Sequence, residues 1–173
     1  HIAESGWAPL EQARAEFEDR DATLECYAEF DETVLWFEHD LYDQLQLIQV
    51  LDWFAGRGAR LMLAQSGDYL GCMTPAALLA LYEKRTAVTP AQFELARRAW
   101  RAFLSADPRG LEPLIAPQPE LPYLAAALLR WCEEYPWTTD GISRTERVIR
   151  KLKAEGISDP RELFARYART EDP

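Results

Sequence analysis

The chain has no run approaching the ~18 apolar residues that span a bilayer, and its first residues lack the basic, apolar, small-residue order of a secretory signal. A soluble protein is expected. Cysteine is scarce: Cys26, Cys72 and Cys132 are odd in number, far apart and without C-x-x-C spacing, which argues against both a disulfide framework and a zinc cage. A reducing cytoplasm is the expected compartment. Neither G-x-G-x-x-G nor G-x-x-x-x-G-K-[ST] occurs, so no dinucleotide fingerprint or phosphate loop is present. Internal repeats and low-complexity tracts are also missing. Apart from His1 at the terminus, His39 is the only histidine, which confines any imidazole chemistry to one place.

Basic residues are almost missing from the front. Residues 1–55 hold 14 acidic side chains against Arg14 and Arg20, a balance of −12. Residues 56–141 are neutral overall, and residues 142–173 carry +2. Nucleic-acid affinity rests largely on Lys and Arg neutralising phosphates, so the front would repel a phosphate backbone and only the last thirty or so residues are suited to face one. The chain opens His-Ile without an initiator Met, which reads as a fragment, a processed product or a cloning remnant.

What is present is enough for one core. A chain of 173 residues, 48% hydrophobic, predicts one main α/β, helix-rich domain. Its parts are an α/β portion over 1–71 with an acidic helix and a β-α-β unit, a helical portion over 72–137, and a C-terminal helix pair over 138–173. From Pro9 to about residue 28, Leu10, Ala13, Phe17, Leu24 and Tyr27 make an amphipathic helical stripe. Thr33-Val-Leu-Trp-Phe37 reads as a buried strand.

Residues 41–55 then form a helix apolar over most of its circumference, which Gly56 and Gly58 end. Arg60-Leu-Met-Leu-Ala64 is a second strand, so residues 33–64 predict a β-α-β unit, a Rossmann-like half with parallel strands. Two strands are too few for a stable sheet, so a third is expected from upstream sequence or from a partner chain.

Everything after Gly71 reads as helical. Thr74-Pro75 and Thr89-Pro90 open helices of about 75–84 and 90–104, the second burying Phe93, Ala96, Trp100 and Phe103. A proline-punctuated connection leads to a helix at about 122–134, with Leu124, Leu128, Trp131 and Cys132 inward. The capping box Ser143-x-x-Glu146 and Asp159-Pro-x-Glu162 open the last two helices.

The chemically dense stretch is Leu35 to Gln44. In an open parallel sheet, ligands bind beyond the carboxyl ends of the strands, which is where Glu38, His39, Asp40 and Asp43 lie. A carboxylate beside an imidazole suits a general base, a metal ligand or a tautomer-fixing partner, giving Glu38, His39 and Asp40 a candidate catalytic role. Asp43, Gln44, Ser66 and Asp68 are the candidate ligand contacts, the last two on a loop opening at the same edge.

A capping account competes, because Asp40 and Asp43 sit as a helix N-cap and an N3 acid. It leaves Glu38 a solvated loop residue and His39 tucked against the strand end. A Ser66–His39–Asp triad lacks the G-x-S-x-G elbow.

The final helices carry Arg144, Arg147 and Lys151 among their basic residues, joined by Glu155-Gly-Ile-Ser-Asp159, a spacing like that of helix-turn-helix nucleic-acid readers. The alternative is a hairpin packing Ile142, Val148, Ile149, Leu152, Leu163 and Phe164 on the domain. A regulatory adaptor is therefore also open, its acidic front meeting a protein partner.

Val34-Leu-Trp-Phe-Glu-His-Asp-Leu-Tyr-Asp-Gln-Leu-Gln-Leu47, with Val88-Thr-Pro-Ala-Gln92, Ala96-Arg-Arg-Ala-Trp100 and Asp140-Gly-Ile-Ser-Arg-Thr-Glu146, resembles a family of bacterial proteins carrying an uncharacterised domain of unknown function. The resemblance implies a further strand segment ending in Asn-Gly-Asp, upstream of Ala8-Pro-Leu-Glu11, and no assigned activity. It brings no cofactor, and a small-molecule or divalent-metal ligand stays open.

Overall fold

The structure is a computed structural model that describes residue 6 and residues 8–171. The opening His1-Ile2 lies outside the described residues. Helix α1 (Leu10–Glu25) runs into a 3-10 turn, Cys26–Glu29. The β-α-β unit follows: strand β1 (Thr33–Phe37), helix α2 (Leu41–Phe54) and strand β2 (Leu61–Gln65). Beyond it come α3 (Pro75–Glu83), strand β3 (Thr86–Ala87), α4 (Pro90–Phe103), a 3-10 segment Pro108–Leu114, and α5 (Leu124–Cys132). Helices α6 (Arg144–Ala154) and α7 (Pro160–Ala168) complete it.

Strands β1 and β2 are parallel, with Thr33 opposite Leu61 and Phe37 opposite Gln65. The third strand corrects the expectation that it comes from outside: β3 pairs antiparallel to β2, Met62 opposite Ala87 and Leu63 opposite Thr86, making a mixed sheet in the order β1-β2-β3. It also corrects the all-helical reading of the chain after Gly71. Two residues squeezed between one helix and the Thr89 cap of the next leave no alternating pattern to read.

Local signals explain most of the helix boundaries. Thr74, Thr89, Ser143 and Asp159 each accept a backbone amide from the first turn, and Thr89/Gln92 and Ser143/Glu146 form reciprocal capping boxes. Gly56, at φ +83°, takes the left-handed conformation that closes α2, which a side chain would strain.

The core lies on one face of the sheet. Leu47, Ile48, Leu51 and Phe54 of α2 pack with Leu35, Leu61 and Leu63 of the strands, and with Leu95, Ala96 and Ala99 of α4. Leu111 and Leu114 of the 3-10 segment, and Leu124 and Leu128 of α5, close the same cluster. One core thus draws on residues either side of position 71. In α4 the fully buried stripe is Leu95, Ala96 and Ala99, whereas Phe93 and Trp100 are only partly covered.

Helix α1 meets this core near its end, where Leu24 packs against it, and the C-terminal pair stands apart from it. In α1 only Ala13 is buried, and Leu10 and Phe17, expected inside, are 55% and 49% exposed. The C-terminal pair also departs from the expected hairpin packing, since Leu152 is its only buried apolar side chain and Phe164 is 69% exposed. No helix among the described residues is long and apolar enough to cross a membrane.

Candidate functional site

Parallel pairing of β1 and β2 brings their carboxyl ends to one edge, and the two loops that follow are stitched together there. Ser66 N donates to Phe37 O at 3.0 Å. Leu70 N donates to Glu38 Oε1 at 2.6 Å, reaching across 32 residues. Glu38 is therefore a loop clamp and not the solvated residue of the capping account.

Asp40 does cap α2: its Oδ1 accepts from Tyr42 N at 2.7 Å and from Asp43 N at 3.1 Å. Asp43 turns back and accepts from Glu38 N at 2.5 Å. Gln44, wholly buried, donates from Nε2 to Glu38 O at 2.6 Å, while its Oε1 is buried without a partner. Ser66 Oγ accepts from Asp68 N at 2.9 Å, closing a local turn. Glu38, Asp40, Asp43, Gln44 and Ser66 are thus all engaged in holding two loops and one helix start.

None of these carboxylates hydrogen-bonds His39. The carboxylate–imidazole pair that would orient a general base is not built, and neither is a serine triad. His39 instead meets rings: Tyr69 with centroids 5.1 Å apart and Tyr123 at 6.3 Å. Its Nδ1 is buried and has no protein partner. Among the described residues no group of three or more His, Cys, Asp or Glu side chains is placed to hold a metal ion.

What His39 does is line a cleft of about 680 Å³. Of the seven sequence candidates at this edge, Glu38 to Asp68, only His39 and Asp40 reach its wall, joined by Gly67 and Tyr69. Tyr123, just before α5, approaches Gly67 so closely that a Cβ there would stand 3.2 Å from the phenolic oxygen. The opposite wall comes from the C-terminal pair, with Arg144, Phe164, Tyr167 and Glu171. The surface of the cleft is mostly apolar, with Arg130, Arg144 and Glu171 together on the side of the C-terminal pair and Asp40 beside His39.

That charged end is also the seam between the core and the pair. Arg130, from the otherwise apolar α5, donates from Nε to Glu171 Oε2 at 2.7 Å and from NH1 to Glu134 Oε1 at 2.6 Å. Arg144 donates from NH1 to Glu171 Oε1 at 2.8 Å and lies 3.3 Å from Glu133. Thr145 donates to Glu134 Oε1 at 2.5 Å and shares a hydrogen bond with the Tyr167 hydroxyl. Burial opposes the charges of Glu134 and Glu171. Hydrogen bonds from Thr145 and Arg130, and from Arg130 and Tyr167, outweigh it and hold both carboxyls below the usual glutamate range.

The nucleic-acid candidates fall differently. Arg144 is committed to this seam, and Arg147 pairs with Asp140 and lies over the Trp137 ring at 4.1 Å. Lys151 is exposed on α6. Two of the three cations are thus neutralised within the chain.

Comparison with protein-family models, with curated proteins and with solved structures finds no match.

Sequence reasoning missed Tyr123, Arg130, Tyr167 and Glu171. One signal was readable: Arg130 is a lone charge in Leu124-Ala-Ala-Ala-Leu-Leu-Arg-Trp-Cys132, where burial demands a partner.

Proposed function

We propose that this protein binds a small organic molecule in the cleft between the β1–α2 edge and the C-terminal helix pair, with His39, Tyr69 and Tyr123 as the contact surface. The observation that carries the reading is the cleft itself. Its roughly 680 Å³ falls within the ~300–1,000 Å³ range of organic ligand sites. It opens at the carboxyl ends of parallel strands and at a seam between two packed units, both places where ligands bind.

The clamp roles of Glu38, Asp40 and Asp43 favour binding over catalysis, because these groups are spent on backbone amides. Among the described residues no three His, Cys, Asp or Glu side chains converge, which favours an organic molecule over a divalent metal. A cytoplasmic protein of the bacterial family that the Leu35–Gln44 stretch resembles fits this reading.

The test compares wild type with Tyr123→Ala and His39→Ala in a binding screen of drug-sized fragments. Fragments that bind wild type should lose affinity at least tenfold in Tyr123→Ala, with little change in folding. Wild-type affinity in both variants refutes the cleft reading.

A second reading, a regulatory adaptor, is favoured by α1. This helix exposes Leu10 and Phe17 among its acidic side chains, which suits contact with a basic protein surface. A gel-shift with random duplex DNA at low salt separates its protein and nucleic-acid versions, and no shift is expected.

A further inference from the structure

The charged end of the cleft already shows what chemistry it accepts. The Glu171 carboxylate lies across two guanidiniums, taking Arg130 Nε on Oε2 at 2.7 Å, and Arg130 NH2 and Arg144 NH1 on Oε1 at 3.0 and 2.8 Å. Two parallel N–H···O contacts from Arg130 form the planar fork by which arginine recognises a carboxylate. The remainder of the wall is largely apolar, with the rings of His39, Tyr69, Tyr123 and Phe164 and a single further charge, Asp40, whose Oδ1 is engaged by the amides that start α2.

Glu171 is the carboxylate that the two arginines can exchange. Arg130 keeps Glu134 at 2.6 Å and Arg144 keeps Glu133 at 3.3 Å when Glu171 departs. Glu171 also follows the end of α7 at Ala168, in a turn held by Thr170 N to Tyr167 O at 2.8 Å and Glu171 N to Ala168 O at 3.2 Å. Its withdrawal opens a turn and leaves α7 whole. A cation in its place would be repelled, and a neutral group would leave the fork short of one charge. An incoming carboxylate conserves the balance.

We infer that the cleft takes an aromatic carboxylate, whose ring lies against His39 and Tyr123 and whose carboxylate replaces that of Glu171 on Arg130 and Arg144. The inference rests on the small-molecule reading of the cleft and names its ligand class. Glu171 then acts as a built-in competitor that holds the cleft closed to weak anions.

Benzoate, its neutral analogue benzamide and inorganic phosphate are the probes, titrated by NMR and calorimetry into wild type and Glu171→Gln. Benzoate should shift the His39 ring protons and the Glu171 amide of wild type together, and should bind Glu171→Gln roughly tenfold more tightly. Benzamide should bind both chains equally weakly.

Equal or weaker benzoate binding by a folded Glu171→Gln overturns the inference. Should that variant unfold, wild type decides alone: benzoate that shifts His39 but leaves Glu171 unmoved overturns it too. Phosphate binding as tightly as benzoate removes the aromatic part. If benzamide and benzoate both shift His39 without touching Glu171, the cleft reading stands and only the ligand class falls. If no probe disturbs His39 or Tyr123 while wider fragment screening also fails, the cleft reading itself fails.

Discussion

Replacing Asp40 separates structure from chemistry at the edge of the cleft. Its carboxylate accepts two amides at the start of α2, from Tyr42 at 2.7 Å and Asp43 at 3.1 Å. Loss of an N-cap costs ~0.5–2 kcal/mol, and an acid in this position gains a further ~0.3–1 kcal/mol from the helix dipole. Asp40→Ala should therefore destabilise the protein by about 1.5 kcal/mol, towards the upper part of the capping range because both amides lose their acceptor.

For a domain of this size each kcal/mol moves the melting temperature by roughly 2–4 °C, so a fall of about 3–6 °C is expected. Urea unfolding should show a lower midpoint at unchanged m. Asp40→Ser removes the charge but keeps a capping oxygen, and should recover most of the loss. Unchanged stability in Asp40→Ala, or equal damage from Asp40→Ser, would refute the capping argument and return Asp40 to chemistry.

Three further outcomes follow from other parts of the molecule. Glu134 and Glu171 are held below the usual carboxyl range, so their contribution is fully present above the unfolded glutamate value of ~4.3 and is lost as pH falls through the lowered folded values. Hydrogen exchange should then show α7 amides losing protection below about pH 4 while α2 amides keep theirs. Gly67→Ala places a methyl 3.2 Å from the Tyr123 hydroxyl, so the ring must yield by a few tenths of an ångström. Fragment affinity should fall while stability moves by less than about 0.5 kcal/mol, measured by calorimetry and urea melts. Leu128→Ala, at a wholly buried position shared by α5 and the core, should cost ~2–5 kcal/mol in a single cooperative transition. Two separate transitions would contradict one core spanning position 71.

The parts of this fold that a reader of the sequence could find are those written in local signals. Asp40 before an apolar helix, Thr-Pro pairs and the Ser143–Glu146 box each determine their own backbone within four residues. The strand ends and the shared edge followed from them. β3 escaped because Thr86-Ala87 is shorter than any period, and α1 misled because a stripe of Leu10, Ala13 and Phe17 declares an apolar face without saying what covers it.

At the candidate site, His39 was visible as a lone imidazole at a strand end. The other wall was not visible, because it is made by contacts such as Arg130 to Glu171, which lie 41 residues apart. The acidic cluster drew attention to chemistry, whereas its oxygens turn out to face backbone amides. Only the folded geometry distinguishes a carboxylate aimed at a ligand from one aimed at a helix start.

The most direct test of the binding cleft is an NMR fragment screen read at the His39 imidazole and the Tyr123 ring. Fragments of drug size should shift both residues together, with aromatic carboxylates the strongest, and the response should vanish in Tyr123→Ala. A screen in which no fragment moves either ring, or in which every hit falls on Ile149 and Lys153 in the groove between α6 and α7, would contradict it.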